Sequence, residues 1–87
     1  MTREEATRFV RDNHQGVLAT QKRDGRPQLS NILYLYDQDG RVKISVTADR
    51  AKTRNVRRDP RVSMLVVGSD WYTYVVVEGV ASILDTD

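Results

Sequence analysis

A short cationic segment, residues 49–60, interrupts a chain that otherwise carries apolar residues at alternate positions. Asp49 is suited to cap the start of a helix and Pro60 cannot continue one, so we predict a helix between them. Arg50 and Lys52 then fall in the first turn, where the helix macrodipole disfavours cations. Because free backbone N–H groups at a helix start attract phosphate, we interpret this turn as an anion-binding site.

The predicted helix has two different sides. Lys52, Asn55 and Val56 share one side, at the spacing that places residues next to each other on a helix. The cations of the other side are Arg50, Arg54 and Arg57. A charge run is also typical of a solvated surface helix, so an anion site and a solvated face both remain open at this point.

The composition narrows the kinds of chemistry open to this chain. The 87 residues contain no cysteine and one histidine, which excludes disulfides and thiolate metal sites and leaves no plausible metal cluster. Nucleophilic catalysis by a serine–histidine or cysteine–histidine pair is poorly supported, so a bound cofactor would supply any chemistry. Eleven of the fourteen cations are arginine, which suits planar anions such as phosphate and carboxylate.

Neither a membrane span nor a signal peptide is visible in the sequence. No apolar run approaches the roughly 20 residues of a spanning helix, and the N-terminal residues are not a basic stretch followed by an apolar one. We therefore expect a cytoplasmic protein with no membrane partner.

The rest of the chain predicts a small antiparallel barrel. Thr2 and Glu5 form a capping box at the start of a helix over residues 2–13, and His14 follows it as a solvated residue. Period-two patterns predict strands over residues 16–22, 28–36 and 41–47, with hairpin turns at 23–27 and 37–40. A nearly continuous apolar run predicts a strand over 62–67, and a long strand is predicted over 71–84. Gly79, inside the last strand, predicts a bulge or bend.

We expect one domain over residues 1–87, mainly β, whose last strand leaves a sheet edge exposed. A second subunit, or further chain beyond a truncated C-terminus, would cover that edge. The apolar residues predicted to form the core are Leu29, Val42, Ile44, Val62, Leu65 and Val75.

Five segments, in this order and spacing, resemble the pyridoxamine 5'-phosphate oxidase-like split β-barrels, particularly the actinobacterial branch that uses the deazaflavin coenzyme F420. They are Gly-Val-Leu-Ala-Thr at 16–20, Asp-Gly-Arg-Pro-Gln-Leu-Ser-Asn at 24–31, Arg-Ala-Lys-Thr-Arg-Asn at 50–55, Arg-Arg-Asp-Pro-Arg at 57–61 and Glu-Gly at 78–79. Members of the family commonly continue for several tens of residues beyond the point where this sequence stops.

The resemblance implies a homodimer with two cofactor sites at its interface, each built from both chains. The cofactor phosphate would lie on Arg50 and Lys52, and the ring would lie against the second strand. Aromatic residues of the partner would line the same cleft, although they are equally suited to interface packing. The full set implied by the resemblance is Pro27, Gln28, Leu29, Ser30, Asn31, Ser45, Val46, Thr47, Arg50, Ala51, Lys52, Thr53, Asn55, Trp71 and Tyr74.

The function implied by the resemblance is hydride transfer between reduced or oxidised F420 and a small organic molecule. Flavin-using members place a basic residue on the second strand, where this chain has Gln28 to Asn31, and this favours the deazaflavin over FMN. The alternatives are an FMN-binding oxidoreductase, a cofactor carrier without turnover, and a nucleic-acid-binding module that uses the arginines. A net charge of +2 and no clear stacking platform count against the last, so no nucleic-acid partner is expected.

Overall fold

The computed structural model describes residues 1–45 and 50–84. Within them the chain forms a single five-stranded antiparallel sheet with the strand order β3-β2-β1-β4-β5, curled into a half-barrel. The helix α2 lies between the third and fourth strands, as predicted. The elements are α1 (Arg3–Asp12), β1 (Gln15–Gln21), β2 (Pro27–Tyr36), β3 (Val42–Ile44), α2 (Ala51–Arg58), β4 (Arg61–Val67) and β5 (Tyr74–Val80).

Local sequence signals account for the first helix and for both early hairpins. The Thr2–Glu5 capping box is present, and α1 starts at the predicted place. In each hairpin a glycine takes a left-handed conformation, Gly25 at φ 90° and Gly40 at φ 80°, which closes a three-residue loop. Because the loop length sets the pairing register, β1, β2 and β3 follow one another as the predicted meander.

The core lies on one face of the sheet, under both helices. Leu18 of β1 stands opposite Met64 of β4, and the same face carries Ile32 and Tyr34 of β2. Val10 of α1 packs into this cluster. The α2 residue Asn55 contacts Thr20 on the same face as Leu18, so both helices cover one side of the sheet. The opposite side, called the outer face below, is left uncovered by them.

Several predictions about the core and the strands need correction. Leu29 is 65% exposed on the outer face, because the alternation along β2 turns Ile32 and Tyr34 toward the helices instead. Of the other predicted core residues, Val42, Ile44, Val62 and Val75 pack against the core while partly exposed, and Leu65 is half-buried on the outer face.

The last strand is shorter than predicted, because it starts at Tyr74 and ends at Val80. Trp71 belongs to the preceding turn and has a φ of 72°, which ends extended pairing there. The bulge predicted at Gly79 is absent: β4 and β5 pair without interruption from Arg61–Val80 to Val67–Tyr74. The glycine is simply a regular, exposed strand residue.

The α2 cap also differs from the prediction, since Arg50 occupies the N-cap position and its own side chain makes no capping hydrogen bond. Asp49, predicted as the cap, lies outside the described residues, as do Val46 and Thr47 at the predicted end of β3. The helix ends at Arg58, before Asp59 and Pro60, as predicted. No helix in the described part of the chain is long and apolar enough to span a membrane.

Tyr34 joins α1 to the sheet through a buried hydrogen bond. Its hydroxyl donates to the backbone carbonyl of Val10 at 2.7 Å, and burial raises the pKa of the phenol. We expect Tyr34→Phe to lower the free energy of unfolding by about 1 kcal/mol, because it leaves that carbonyl without its strongest donor. For a domain of this size the thermal midpoint should fall by roughly 4 to 8 °C.

The control for this prediction is Tyr36→Phe, since Tyr36 packs against the core without being fully buried. It should change the free energy of unfolding by less than about 0.5 kcal/mol. An equal loss in both variants, measured by thermal denaturation, would show that the Tyr34 hydrogen bond adds nothing to stability.

Candidate functional site

A groove of about 490 Å³ runs between α2, the hairpin loop after β1 and the start of β2. Three kinds of side chain line it: cations, amides and small apolar groups. These residues are Lys22, Arg23, Pro27, Gln28, Leu29, Ala51, Asn55 and Arg58. A surface of this kind suits a ligand that has an anionic part and a flat polar part.

A hydrogen-bond network crosses from α2 to the two strands at the floor of this groove. Asn55, only 7% exposed, donates through Nδ2 to Thr20 Oγ1 at 3.1 Å and to Gln28 Oε1 at 2.8 Å. Arg58 Nη2 donates to Asn55 Oδ1 at 2.8 Å and to the backbone carbonyl of Gln21 at 2.7 Å. These bonds hold the helix and the strands in one fixed arrangement, so the groove is preformed.

The start of α2 lies beside this groove and is electrostatically positive. No acidic residue stands in the first turn, and Arg50 provides no side-chain hydrogen bond to the cap. Lys52 is half-buried in that turn. The backbone N–H groups of Thr53 and Arg54 point back to the carbonyl of Arg50, as expected at a helix start. The positive end of the dipole and the two cations together favour an anion.

The structure brings part of the predicted site together. Pro27, Gln28, Leu29, Ala51 and Asn55 line the groove. Arg50 and Lys52 lie next to Ala51 at the helix start, and Thr53 is buried behind them at 2% exposure.

Other predicted site residues lie away from the groove lining. On β2 the side chains alternate, so Ser30 lies on the core face and Asn31 is exposed on the outer face. Ser45 is exposed just after β3. Val46 and Thr47 lie outside the described residues.

Trp71 and Tyr74 lie at the other end of the sheet. In the antiparallel pairing of β1 and β4, Val17 stands opposite Leu65 and Ala19 opposite Ser63. The end of β4, and with it the aromatic turn, is therefore near the start of β1, whereas the groove is near its end. Trp71 is 74% exposed and Tyr74 is 59% exposed. Within one chain these aromatic side chains do not meet the groove.

Sequence reasoning missed Lys22, Arg23 and Arg58, which add three cations to the groove. A signal for Arg58 was present, since it follows Ala51 and Asn55 at the spacing of one helix face. For Lys22 and Arg23 the signal was their place at the first hairpin, beside the segment predicted to hold the ring. Lys22 was interpreted only as the last residue of a strand, and Arg23 only as a turn residue.

The carboxylates of the neighbouring turns are paired with arginines. The Arg26 guanidinium lowers the pKa of Asp24, and the Arg61 guanidinium lowers the pKa of Asp59 to about 2. Both carboxylates are ionised at neutral pH, so neither can donate a proton to a ligand. In the part of the chain described, no group of three His, Cys, Asp or Glu side chains could hold a metal ion. The groove is thus built for binding and orientation.

The fold is that of a split β-barrel, with the helix α2 between its third and fourth strands. The family model described as pyridoxamine 5'-phosphate oxidase matches residues 2–87. The chain belongs to this family.

Solved structures agree with this assignment. A conserved hypothetical protein from Mycobacterium tuberculosis is 38% identical, with a TM-score of 0.85 over 99% of this chain and 55% of its own. A structure titled F420 reductase is 31% identical, with a TM-score of 0.77 over 87% of this chain and 60% of its own. A heme-binding protein from Mycobacterium smegmatis is 30% identical, with a TM-score of 0.80 over 97% of this chain and 37% of its own. The chain thus spans less than two thirds of the length of each of these structures.

Proposed function

We propose that the protein is an F420-dependent oxidoreductase that binds the deazaflavin in the α2–β2 groove. The observation that carries the proposal is the pair of cations, Arg50 and Lys52, at the start of α2 beside the groove, where the first helical turn contains no acidic residue. The likeness to a structure titled F420 reductase, at 31% identity, supports the choice of cofactor. When bound, this cofactor supplies hydride transfer to or from a small organic substrate.

The residues of the groove fit the chemical parts of such a cofactor. Arg50 and Lys52, with backbone N–H groups of the first turn of α2, would hold a phosphate. Leu29 and Ala51 offer apolar contacts to a flat ring, and Gln28 offers a hydrogen bond to its edge. No carboxylic acid lines the groove, so the chain's own contribution is to bind and orient the cofactor.

We propose further that two copies of the chain complete the site. The outer face carries Leu33, Leu35 and Val76, each more than half exposed, and it continues to Leu29 at the groove. A second copy packed on this face would cover the apolar side chains and border the groove at the same time. In such an arrangement Trp71 and Tyr74 of the second copy could approach the groove, which the same two residues of the groove's own chain do not reach.

Two other cofactors are weaker candidates. Heme is a candidate because a heme-binding protein is 30% identical to this chain. However, the lining of the groove contains no histidine, cysteine, methionine or tyrosine to ligate iron. FMN shares the phosphate and the flat ring, and the groove geometry alone does not discriminate it from F420. A carrier that holds F420 without turnover would use the same contacts.

Titration with each cofactor tests the proposal. We expect F420 fluorescence to be quenched on binding, with an affinity at least about tenfold above that for FMN, a difference of about 1.4 kcal/mol. Hemin, followed by its absorption, should show no saturable binding. Tighter binding of FMN or hemin than of F420 would reject the proposed cofactor. Oxidation of bound reduced F420 by added quinones then separates an oxidoreductase from a carrier.

A further inference from the structure

In the hydrogen-bond network under the groove, Arg58 determines which amide atoms donate and which accept. A guanidinium can only donate hydrogen bonds, so the Asn55 atom at 2.8 Å from Arg58 Nη2 must be the amide oxygen. The Asn55 nitrogen is therefore turned the other way, where it donates to Thr20 and Gln28. An amide orientation that is usually ambiguous is determined here by its arginine neighbour.

The orientation of the Gln28 amide follows from that of Asn55. Its Oε1 accepts from Asn55, which leaves the Nε2 group as the remaining polar part of a side chain that lines the groove. Within the described residues the Gln28 side chain makes no other hydrogen bond. Since no buried side-chain nitrogen or oxygen there lacks a partner, Nε2 is open to the groove or to solvent. Gln28 thus presents hydrogen-bond donors at this point.

We propose that Arg58, acting through Asn55, holds Gln28 as a hydrogen-bond donor, so that the groove selects ligands with an acceptor at this position. A carbonyl oxygen or an unprotonated ring nitrogen fits, whereas a ring N–H does not. The edge of a flavin or deazaflavin ring carries both kinds of group, so the polarity of Gln28 decides which part of the edge lies against it. The identity of the ligand rests on the proposed function, but the polarity of Gln28 does not.

Asn55→Asp inverts this polarity without changing the size of the side chain. One carboxylate oxygen still accepts from Arg58, and the other now faces Gln28 as an acceptor. Gln28 must then rotate its amide to donate to the carboxylate, which turns Oε1 toward the groove. A ligand acceptor atom that receives a hydrogen bond from Gln28 Nε2 in the wild type therefore faces Gln28 Oε1 in the variant and receives none.

The first measurement needs no cofactor and uses NMR of the Gln28 side-chain amide. In the wild type we expect its Nε2 protons to exchange rapidly with water, because they are open to the groove. In Asn55→Asp one of them should become protected by its hydrogen bond to the carboxylate. Unchanged exchange in the variant would overturn the proposal.

The second measurement is a double-mutant cycle on F420 affinity. Asn55→Asp should weaken binding about tenfold, because one hydrogen bond is lost and two acceptors face each other. In a Gln28→Met background the same substitution should have little further effect, since it acts through Gln28. The full loss would persist in that background if the new charge simply repelled an anionic cofactor, and this result would also overturn the proposal.

Arg58→Met provides a second variant in case Asn55→Asp fails to fold. Without the arginine, Asn55 can take both amide orientations, so roughly half of the molecules present the wrong group and affinity should fall about twofold. Arg57→Met, at the neighbouring position, is the control and should leave both the exchange of Gln28 and the affinity unchanged. If Arg58→Met has no more effect than Arg57→Met, Arg58 does not set the polarity. If wild type binds neither F420 nor FMN, the proposed function fails while the exchange measurement still decides the polarity.

Discussion

Lys52→Ala should weaken F420 binding by roughly tenfold to a hundredfold, which corresponds to the loss of one charge-assisted hydrogen bond of about 1.5 to 3 kcal/mol. Lys52 stands in the first turn of α2, which contains no acidic residue. An anion bound at the helix start would contact both this cation and backbone N–H groups of the first turn. Fluorescence titration of wild type and variant measures the difference.

Without cofactor, Lys52→Ala should be at least as stable to unfolding as the wild type. A cation in the first turn opposes the helix macrodipole and costs about 0.3 to 1 kcal/mol, so its removal should leave the unfolding midpoint unchanged or slightly raised. Because Lys52 is only half-buried, little packing is lost with it. A variant that bound less cofactor and also unfolded earlier would indicate a structural role for Lys52.

Arg57→Ala is the matched control, because it removes a cation from the last turn of the same helix. We expect it to change the affinity for F420 by less than about twofold. Equal losses in both variants that shrink steeply with added salt would describe a diffuse basic surface. The nucleic-acid-binding alternative would then replace the cofactor site.

Leu33→Asp should convert the proposed dimer into monomers. Leu33 is 69% exposed on the outer face, between Leu29 and Leu35, which are 65% and 64% exposed. Side chains of this size are seldom left together in water on a monomer, and a carboxylate buried among them without a partner would cost several kcal/mol. Light scattering at micromolar concentration should give twice the chain mass for wild type and the single chain mass for the variant.

Loss of the dimer should also weaken cofactor binding, if the partner borders each groove as proposed. Gln38→Asp is the control, since it adds the same charge at an exposed turn position away from the outer face. A monomeric wild type with cooperative thermal unfolding would contradict the proposal directly. A monomeric variant that retained full F420 affinity would show that the groove is complete within one chain.

The elements of this fold were predictable because their signals are local. The capping box of α1 spans four residues, and the glycines of both early hairpins lie within the loops that they close. Pro60 similarly predicted the end of α2. Interactions between near neighbours in the chain need no knowledge of the tertiary structure, so a linear sequence carries them completely.

Predictions that depended on distant contacts were less successful. The alternation along β2 offers two apolar faces, Leu29 with Leu33 on one and Ile32 with Tyr34 on the other. Nothing local distinguishes them, and Leu29 was assigned to the wrong face. The choice is made by α1, because Val10 packs against Tyr34 and accepts its hydrogen bond.

The candidate site also has a part that was predictable from local sequence and a part that was not. The two cations at the start of α2, Arg50 and Lys52, were visible in the sequence, because they belong to a single helix turn. The sequence did not show that Arg58 orients Asn55, or that Asn55 contacts Thr20 and Gln28, 35 and 27 positions away in the chain, because folding brings these residues together. The polarity of a hydrogen bond depends on which groups meet in space, and the fold alone determines that.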